Sequence, residues 1–203
     1  MKNRQAEVIK QLTDKELLFH LYATQILLLT ISFILGMILF DSLTGFTQLF
    51  HFNQVSSYVV GGLVGLGVVL LDSILMRVLP ERYYDDGGLN QRIFRTKGIL
   101  HIAFIAGIVA ISEEILFRGV IQTHVGLLIS SFIFAFVHFR YLYNWFLFLN
   151  IVALSFLIGF IYYLSGNLVE TIFMHFIIDF LLGLNIRLAE KKKELGQEGI
   201  THE

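Results

Sequence analysis

From residue 17 onward the chain is organised by long apolar runs separated by short polar segments. A helix needs about 20 mostly apolar residues to cross the hydrocarbon layer of a bilayer. Residues 17–40, 58–79, 98–121, 144–164 and 168–188 meet that requirement, and 125–139 forms a sixth, shorter apolar segment. Pro80, the single proline, follows the second run and suits a helix stop. Residues 81–92 (ERYYDDGGLNQR) are the most polar internal stretch and read as a loop. Ser165-Gly166-Asn167 has the composition of a tight turn. The glycines Gly61, Gly62, Gly65 and Gly67 in the second run point to close helix packing rather than to ligand binding. The pattern predicts an all-α fold, a polytopic membrane bundle of about six helices. It divides into an N-terminal tail, two membrane helices and a loop over 1–98, a four-helix core over 99–190, and a charged tail over 191–203.

Composition agrees with that reading. Hydrophobic residues make up 56% and charged residues 15%, and the mean hydropathy is +0.72. A soluble domain carries more charge and fewer long apolar runs. A net charge of −1 gives no electrostatic case for nucleic acid. The absence of cysteine removes disulfides, thiolate metal ligands and a cysteine nucleophile together. The polar N-terminus precedes an apolar run long enough to span, so the first helix is expected to be retained rather than cleaved as a signal. Lys and Arg then orient the bundle. Four precede the first run, none separates the first from the second, five lie between Arg77 and Lys97, and Arg187, Lys191, Lys192 and Lys193 crowd the C-terminus. Under the positive-inside rule this fits six spans of a multi-pass plasma-membrane protein with both ends in the cytoplasm.

Ionisable groups inside spans are costly, about 2.5–3.5 kcal/mol each at the centre on insertion scales, and mark sites or buried pairs. Glu113, Glu114 and Arg118 lie late in the third run, Phe134 and His138 in the short segment, and His175 and Asp179 in the last run. Neighbouring helical positions diverge by about 100°, so Glu113 and Glu114 point apart. Glu114 and Arg118, four apart with the acid first, are set to pair, which leaves Glu113 free for another task. His175 and Asp179 share a face. Three helices each offering a polar point are expected to converge on one cavity between them. Singly, each has a plainer explanation as a clamp or a hydrogen-bonded core residue. His20, His51, His101 and His124 have no acidic partner at helical spacing and read as interfacial, and Asp72 has no partner in the pattern.

At these residues the sequence resembles the CAAX protease and bacteriocin-processing family of intramembrane endopeptidases. Its pattern is a double glutamate with an arginine four after the second, then Phe-x-x-x-His, then His-x-x-x-Asn or Asp. Gly166-Asn167-Leu168 before the last motif is similar as well. The resemblance implies a hydrolase that cuts a peptide or membrane-protein substrate in the lipid bilayer. Glu113 is then the general base with His138 as its partner, and His175 and Asp179 support the oxyanion. Asp179 stands where some members have Asn, and a carboxylate there is suited to orienting His175. Glu114, Arg118 and Phe134 support the site. No cofactor is expected. A divalent ion such as zinc, with Glu113, His138 and His175 as ligands, is the alternative, although no His-Glu-x-x-His helix is present.

Bringing these groups to one height requires 122–127 to be a connection or irregular turn. The following helix then starts near residue 128 or 129 and runs past Arg140. In the orientation given by charge, His175 and Glu113 lie roughly 10 and 12 Å from the outer helix ends, which places the site nearer the outer face, whereas the resemblance to prenyl-protein members implies a cytosolic substrate, so the facing side stays open. Two rival functions fit the same composition. One is a non-catalytic immunity or peptide-binding protein on this fold. The other is a small transporter or proton relay, a class that often shows inverted repeats, and no such repeat is evident in this sequence.

Overall fold

The computed structural model describes residues 11–200, and every regular element among them is helical. The tail positions 1–10 and 201–203, including Lys2, Arg4 and Lys10, lie outside the described residues. The helices are α1 (Asp14–Leu39), α2 (Leu43–Thr47), α3 (Val55–Val78), α4 (Leu89–Phe94), α5 (Ile99–Glu114), α6 (Thr123–Val137), α7 (Trp145–Ser165) and α8 (Leu168–Ile200). A π-helical stretch, Ile115–Gln122, joins α5 to α6, and a 3-10 turn, Phe139–Tyr143, leads into α7. The start of α1 is set by a capping box, in which Thr13 and Glu16 satisfy each other's backbone N–H groups.

Among the described residues, five helical segments are long and apolar enough to cross a membrane. The third, Ile99–Val137, has 39 residues, about 58 Å at 1.5 Å per residue, nearly twice the hydrocarbon thickness of about 30 Å. It does not run straight. Gly126 has φ 83° and ψ 171°, a conformation open to glycine because no Cβ obstructs it. There the chain turns back on itself. Ser130 Oγ donates to the Phe117 carbonyl at 2.6 Å, and the Phe117 and Phe134 rings meet edge to face at 4.9 Å. Five candidate spans thus give six limbs, and the break falls within the expected 122–127. One expectation fails. Helix α6 does not continue past Arg140 but ends at Val137, with His138 at φ −85° and ψ 32°. The chain must reverse into α7 by Trp145, and the tighter 3-10 turn achieves this. Asn144 closes it, donating from Nδ2 to the carbonyls of Arg82 at 3.0 Å and Asp85 at 3.3 Å.

The limb ends sort onto two faces. On one, Asp14 pairs with Arg92 at 2.9 Å and Arg95 at 3.5 Å, and Arg187 Nη1 donates to the Arg95 carbonyl at 2.9 Å. Asn144 and the 81–88 loop belong to this basic face. On the other, His124 Nε2 bonds the Leu39 carbonyl at 3.0 Å, and Leu168 N donates to the Leu49 carbonyl at 2.8 Å. Asn167, fully buried, uses its whole amide there. Oδ1 accepts from His51 N and Val169 N, both at 3.0 Å, while Nδ2 donates to the His51 carbonyl at 3.2 Å and Ser57 Oγ at 2.8 Å.

Helix α8 is the axle of the bundle, packed against α3, α5 and α7. Its approach to α3 is so close that a Cβ on Gly61 would lie 2.6 Å from the Glu170 carbonyl oxygen, and one on Gly65 would lie 2.9 Å from that of Met174. These backbones cannot part without opening the core of Val69, Ile158, Met174 and Ile178. Gly67 faces open space. Overpacking a tight contact costs about 1–3 kcal/mol. Gly61→Val is therefore expected to lower the thermal unfolding midpoint in detergent, and Gly67→Ala to leave it unchanged; equal midpoints for the two variants would refute the packing role.

Candidate active site

The antiparallel hairpin about Gly126 determines which polar residues meet. Glu113 lies thirteen residues before that glycine and His138 twelve after it; Phe117 and Phe134 lie nine before and eight after. The ring pair and the polar pair are therefore neighbouring rungs of one ladder. Glu113 Oε2 stands 4.0 Å from His138 Nε2. His138 Nδ1 bonds the Phe134 carbonyl at 2.8 Å. A carbonyl only accepts, so Nδ1 carries a proton, and in the neutral form of the ring Nε2 is the acceptor that faces Glu113.

Glu114 points the other way, as the helical angle requires. Its Oε2 lies 3.4 Å from Arg118 Nε, and both side chains are fully buried. Its Oε1 lies 2.9 Å from His175 Nδ1. Glu114 thus bridges the π-helical stretch to α8. On the far side of the ring, His175 Nε2 faces Asp179 Oδ2 at 3.5 Å. Arg118 Nη2 donates to Ser155 Oγ of α7 at 3.3 Å, and its guanidinium carbon sits 5.0 Å above the Phe134 ring. Ser112 Oγ, beside Glu113, donates to Gln25 Oε1 of α1 at 2.6 Å. All seven residues singled out in the sequence are brought into one network.

Two layers are distinct within it. Glu114, Arg118 and Ser155 form a dry layer without exposure. Glu113, His138 and Asp179 form an open one, their side chains 12%, 20% and 31% exposed. His175 connects the two. Along α8 the step from His175 to Asp179 runs toward the basic face, and so does α6 toward His138, so the open layer looks that way. Glu113 lies farther from its helix end than expected from the sequence, because the helical limb runs on to Gly126 instead of stopping at 121, while His175 keeps its seven residues from the start of α8. Thirteen residues from that turn place Glu113 roughly 20 Å from the outer end, near the middle of the bundle.

Three contacts were not legible in the sequence. Nothing in the spacing pairs Glu114 with His175, because 61 residues separate them. Ser155 and Gln25 are uncharged, and their only signal was a buried polar residue within an apolar run. The donor set also bears on the metal alternative. Among the described residues no three His, Asp or Glu side chains are grouped so that they could hold a metal ion. Both nitrogens of His175 already face carboxylates, which leaves none free to join Glu113 and His138. The residues present do not fit a zinc centre.

Comparison with known proteins bears on the same part of the chain. Residues 95–181 match the family model described as type II CAAX prenyl endopeptidase Rce1-like. The chain is 37% identical over 177 residues to the uncharacterized protein YpbD of Bacillus subtilis (strain 168), covering 87% of this chain and 94% of that protein. No solved structure matches. The matched region begins just before α5 and ends just after Asp179, so it contains every charged group of the network described above. The chain is an integral, multi-pass membrane protein, and it belongs to the Rce1-like family of type II CAAX prenyl endopeptidases.

Proposed function

We propose that this protein is an intramembrane endopeptidase in which Glu113 and His138 activate the attacking water. One observation carries the reading: an acidic oxygen and an imidazole lone pair face each other at 4.0 Å in a partly open cleft, with the imidazole tautomer set by a backbone carbonyl. A water making hydrogen bonds of about 2.8 Å to both atoms bridges such a gap. Glu113 takes a proton from that water as its oxygen adds to the scissile carbonyl carbon. The proton then passes to the departing amine as the C–N bond breaks, which returns Glu113 to its starting state.

The developing oxyanion needs a donor aimed at it. His175 is the candidate: Glu114 holds its Nδ1 at 2.9 Å, and its Nε2–H, which faces Asp179 at the longer distance of 3.5 Å and, being protonated, ligates no metal, turns to donate to the oxyanion. This assigns Asp179 to holding His175, a role in which a carboxylate is as serviceable as an amide. Glu114 and Arg118 keep His175 in place from the dry side. No step runs through a metal. With the basic face in the cytoplasm, as the distribution of Lys and Arg supports, the cleft receives its peptide or membrane-protein substrate from the cytoplasmic side.

General base catalysis contributes typically 10²- to 10⁴-fold. Glu113→Gln is expected to reduce cleavage by at least about 10²-fold while the protein still inserts and folds. Comparing the membrane proteomes of cells carrying wild-type and Glu113→Gln protein should reveal precursors that accumulate uncut. Cleavage that persists in the variant sinks the assignment, and a protective phenotype that survives without cleavage supports an immunity or peptide-binding role instead.

Arg118→Met makes the contrasting case, because it strands the Glu114 carboxylate in the dry layer. Removing one partner of a buried pair costs about 3–5 kcal/mol. The variant is expected to unfold at a clearly lower temperature in detergent, whereas Glu113→Gln should not. A wild-type midpoint for Arg118→Met would show that the pair does not hold the core together.

A further inference from the structure

Tyr141 and Arg140, at the mouth of the cleft, have no part in the chemistry above, yet they complete a column of stacked groups. The Arg118 guanidinium lies 5.0 Å from the Phe134 ring centre. Phe134 stacks on His138 with ring centres 4.6 Å apart and planes 29° from parallel. His138 faces Tyr141 at 6.5 Å and 15°. The Arg140 guanidinium carbon sits 4.4 Å over the Tyr141 ring and the group donates to the Tyr141 hydroxyl. A cation over an aromatic face is attractive, the more so when partly desolvated. The column therefore runs from cation to cation through three rings, with the imidazole in the middle.

The change of helix type builds it. Phe134 and His138 are four apart at the end of α6 and so share a face. Beyond His138 the chain is 3-10, where side chains three apart eclipse. Tyr141 N donates to the His138 carbonyl at 3.0 Å, and the Tyr141 ring comes to lie nearly parallel to the imidazole, with centres 6.5 Å apart. An unbroken α-helix would swing Tyr141 about 60° off that line. Tyr141 is also buried, at 9% exposure, although the cleft beside it is open.

The hydrogen bond from Nδ1 to Phe134 sets where Nε2 points only as long as the ring plane is held. Phe134 covers one face of the imidazole. We propose that Tyr141 is a positioning residue that covers the other, with Arg140 pinning the phenol ring, so that Nε2 stays directed at Glu113. Its kinetic consequence rests on the Glu113–His138 reading above; its geometric consequence does not.

The test uses full-length protein labelled with ¹⁵N-histidine in detergent micelles, with the His138 signals identified by their loss in His138→Gln. Imidazole ¹⁵N shifts report the tautomer. Wild type and Tyr141→Phe are expected to show neutral His138 as the Nδ1–H form, and Tyr141→Leu to show averaged signals of both tautomers. A wild-type signature in Tyr141→Leu overturns the proposal. Should that variant fail to accumulate, Arg140→Gln, which keeps the ring but frees it, is expected to shift the signature in the same direction, and an unchanged signature overturns the proposal equally.

The kinetic arm uses the peptide that accumulates uncut in Glu113→Gln cells. A misplacement of about 1 Å can cost about 10²-fold in rate. Tyr141→Leu is expected to lose roughly 10- to 100-fold in kcat with KM within about twofold, and Tyr141→Phe to stay near wild type. A Tyr141→Phe loss as large as that of Tyr141→Leu assigns the effect to the hydroxyl and refutes the stacking role. Cleavage retained in Glu113→Gln removes the catalytic reading alone and leaves the spectroscopic comparison to decide the role of Tyr141.

Discussion

The Glu114 carboxylate is the constraint on which the rest of the site depends. It is fully buried, and its two oxygens face Arg118 at 3.4 Å and His175 at 2.9 Å. A charge in so dry a place is tolerable only with partners on hand, so the three side chains have little freedom to separate. Because Arg118 follows in the π-helical stretch and His175 is on α8, satisfying Glu114 fixes the distance and rotation between those elements. Glu113 is the adjacent residue on the chain and inherits that placement. The open carboxylate points where it does because its neighbour is locked.

Two backbone irregularities make the arrangement affordable to a membrane helix. In hydrocarbon every backbone polar group needs an internal partner, and irregular segments survive only where protein surrounds them. The π-helical stretch lies inside the bundle with side-chain oxygens close by, whereas the Gly126 reversal is exposed at the outer end of the hairpin. Ser130 serves the Phe117 carbonyl, and Thr123 Oγ1 donates to the Arg118 carbonyl at 3.1 Å. π-helical turns are rare and frequently occur at functional sites. Here one follows the paired glutamates directly and opens into the hairpin that carries His138 back to them.

Much of this was legible from residue type and spacing. The divergence of Glu113 from Glu114 followed from helical geometry alone, and so did the pairing of Glu114 with Arg118. Gly61 and Gly65 did mark close packing, whereas Gly67, part of the same cluster, packs against nothing; composition does not say which face of a helix meets a neighbour. The need to level three motifs in depth located the break at 122–127. It could not reveal that α6 would stop at His138, because that depends on Asn144 being drawn to the 81–88 loop, some 60 residues away in sequence. The link between Glu114 and His175 was hidden for the same reason. Periodicity reports on neighbours within a helix, and contacts between helices are settled by how their faces rotate.

The dry layer has an implication for the cell as well as for the site. Arg118, Glu114, Val120, Leu168 and Thr171 are all without exposure and stand between the open cleft and the face where Asn167 ties the chain down. Water that enters from the basic side therefore meets a plug rather than a through-channel. A cleft closed at one end admits water to the Glu113 carboxylate without opening a path across a membrane that holds a voltage and a proton gradient.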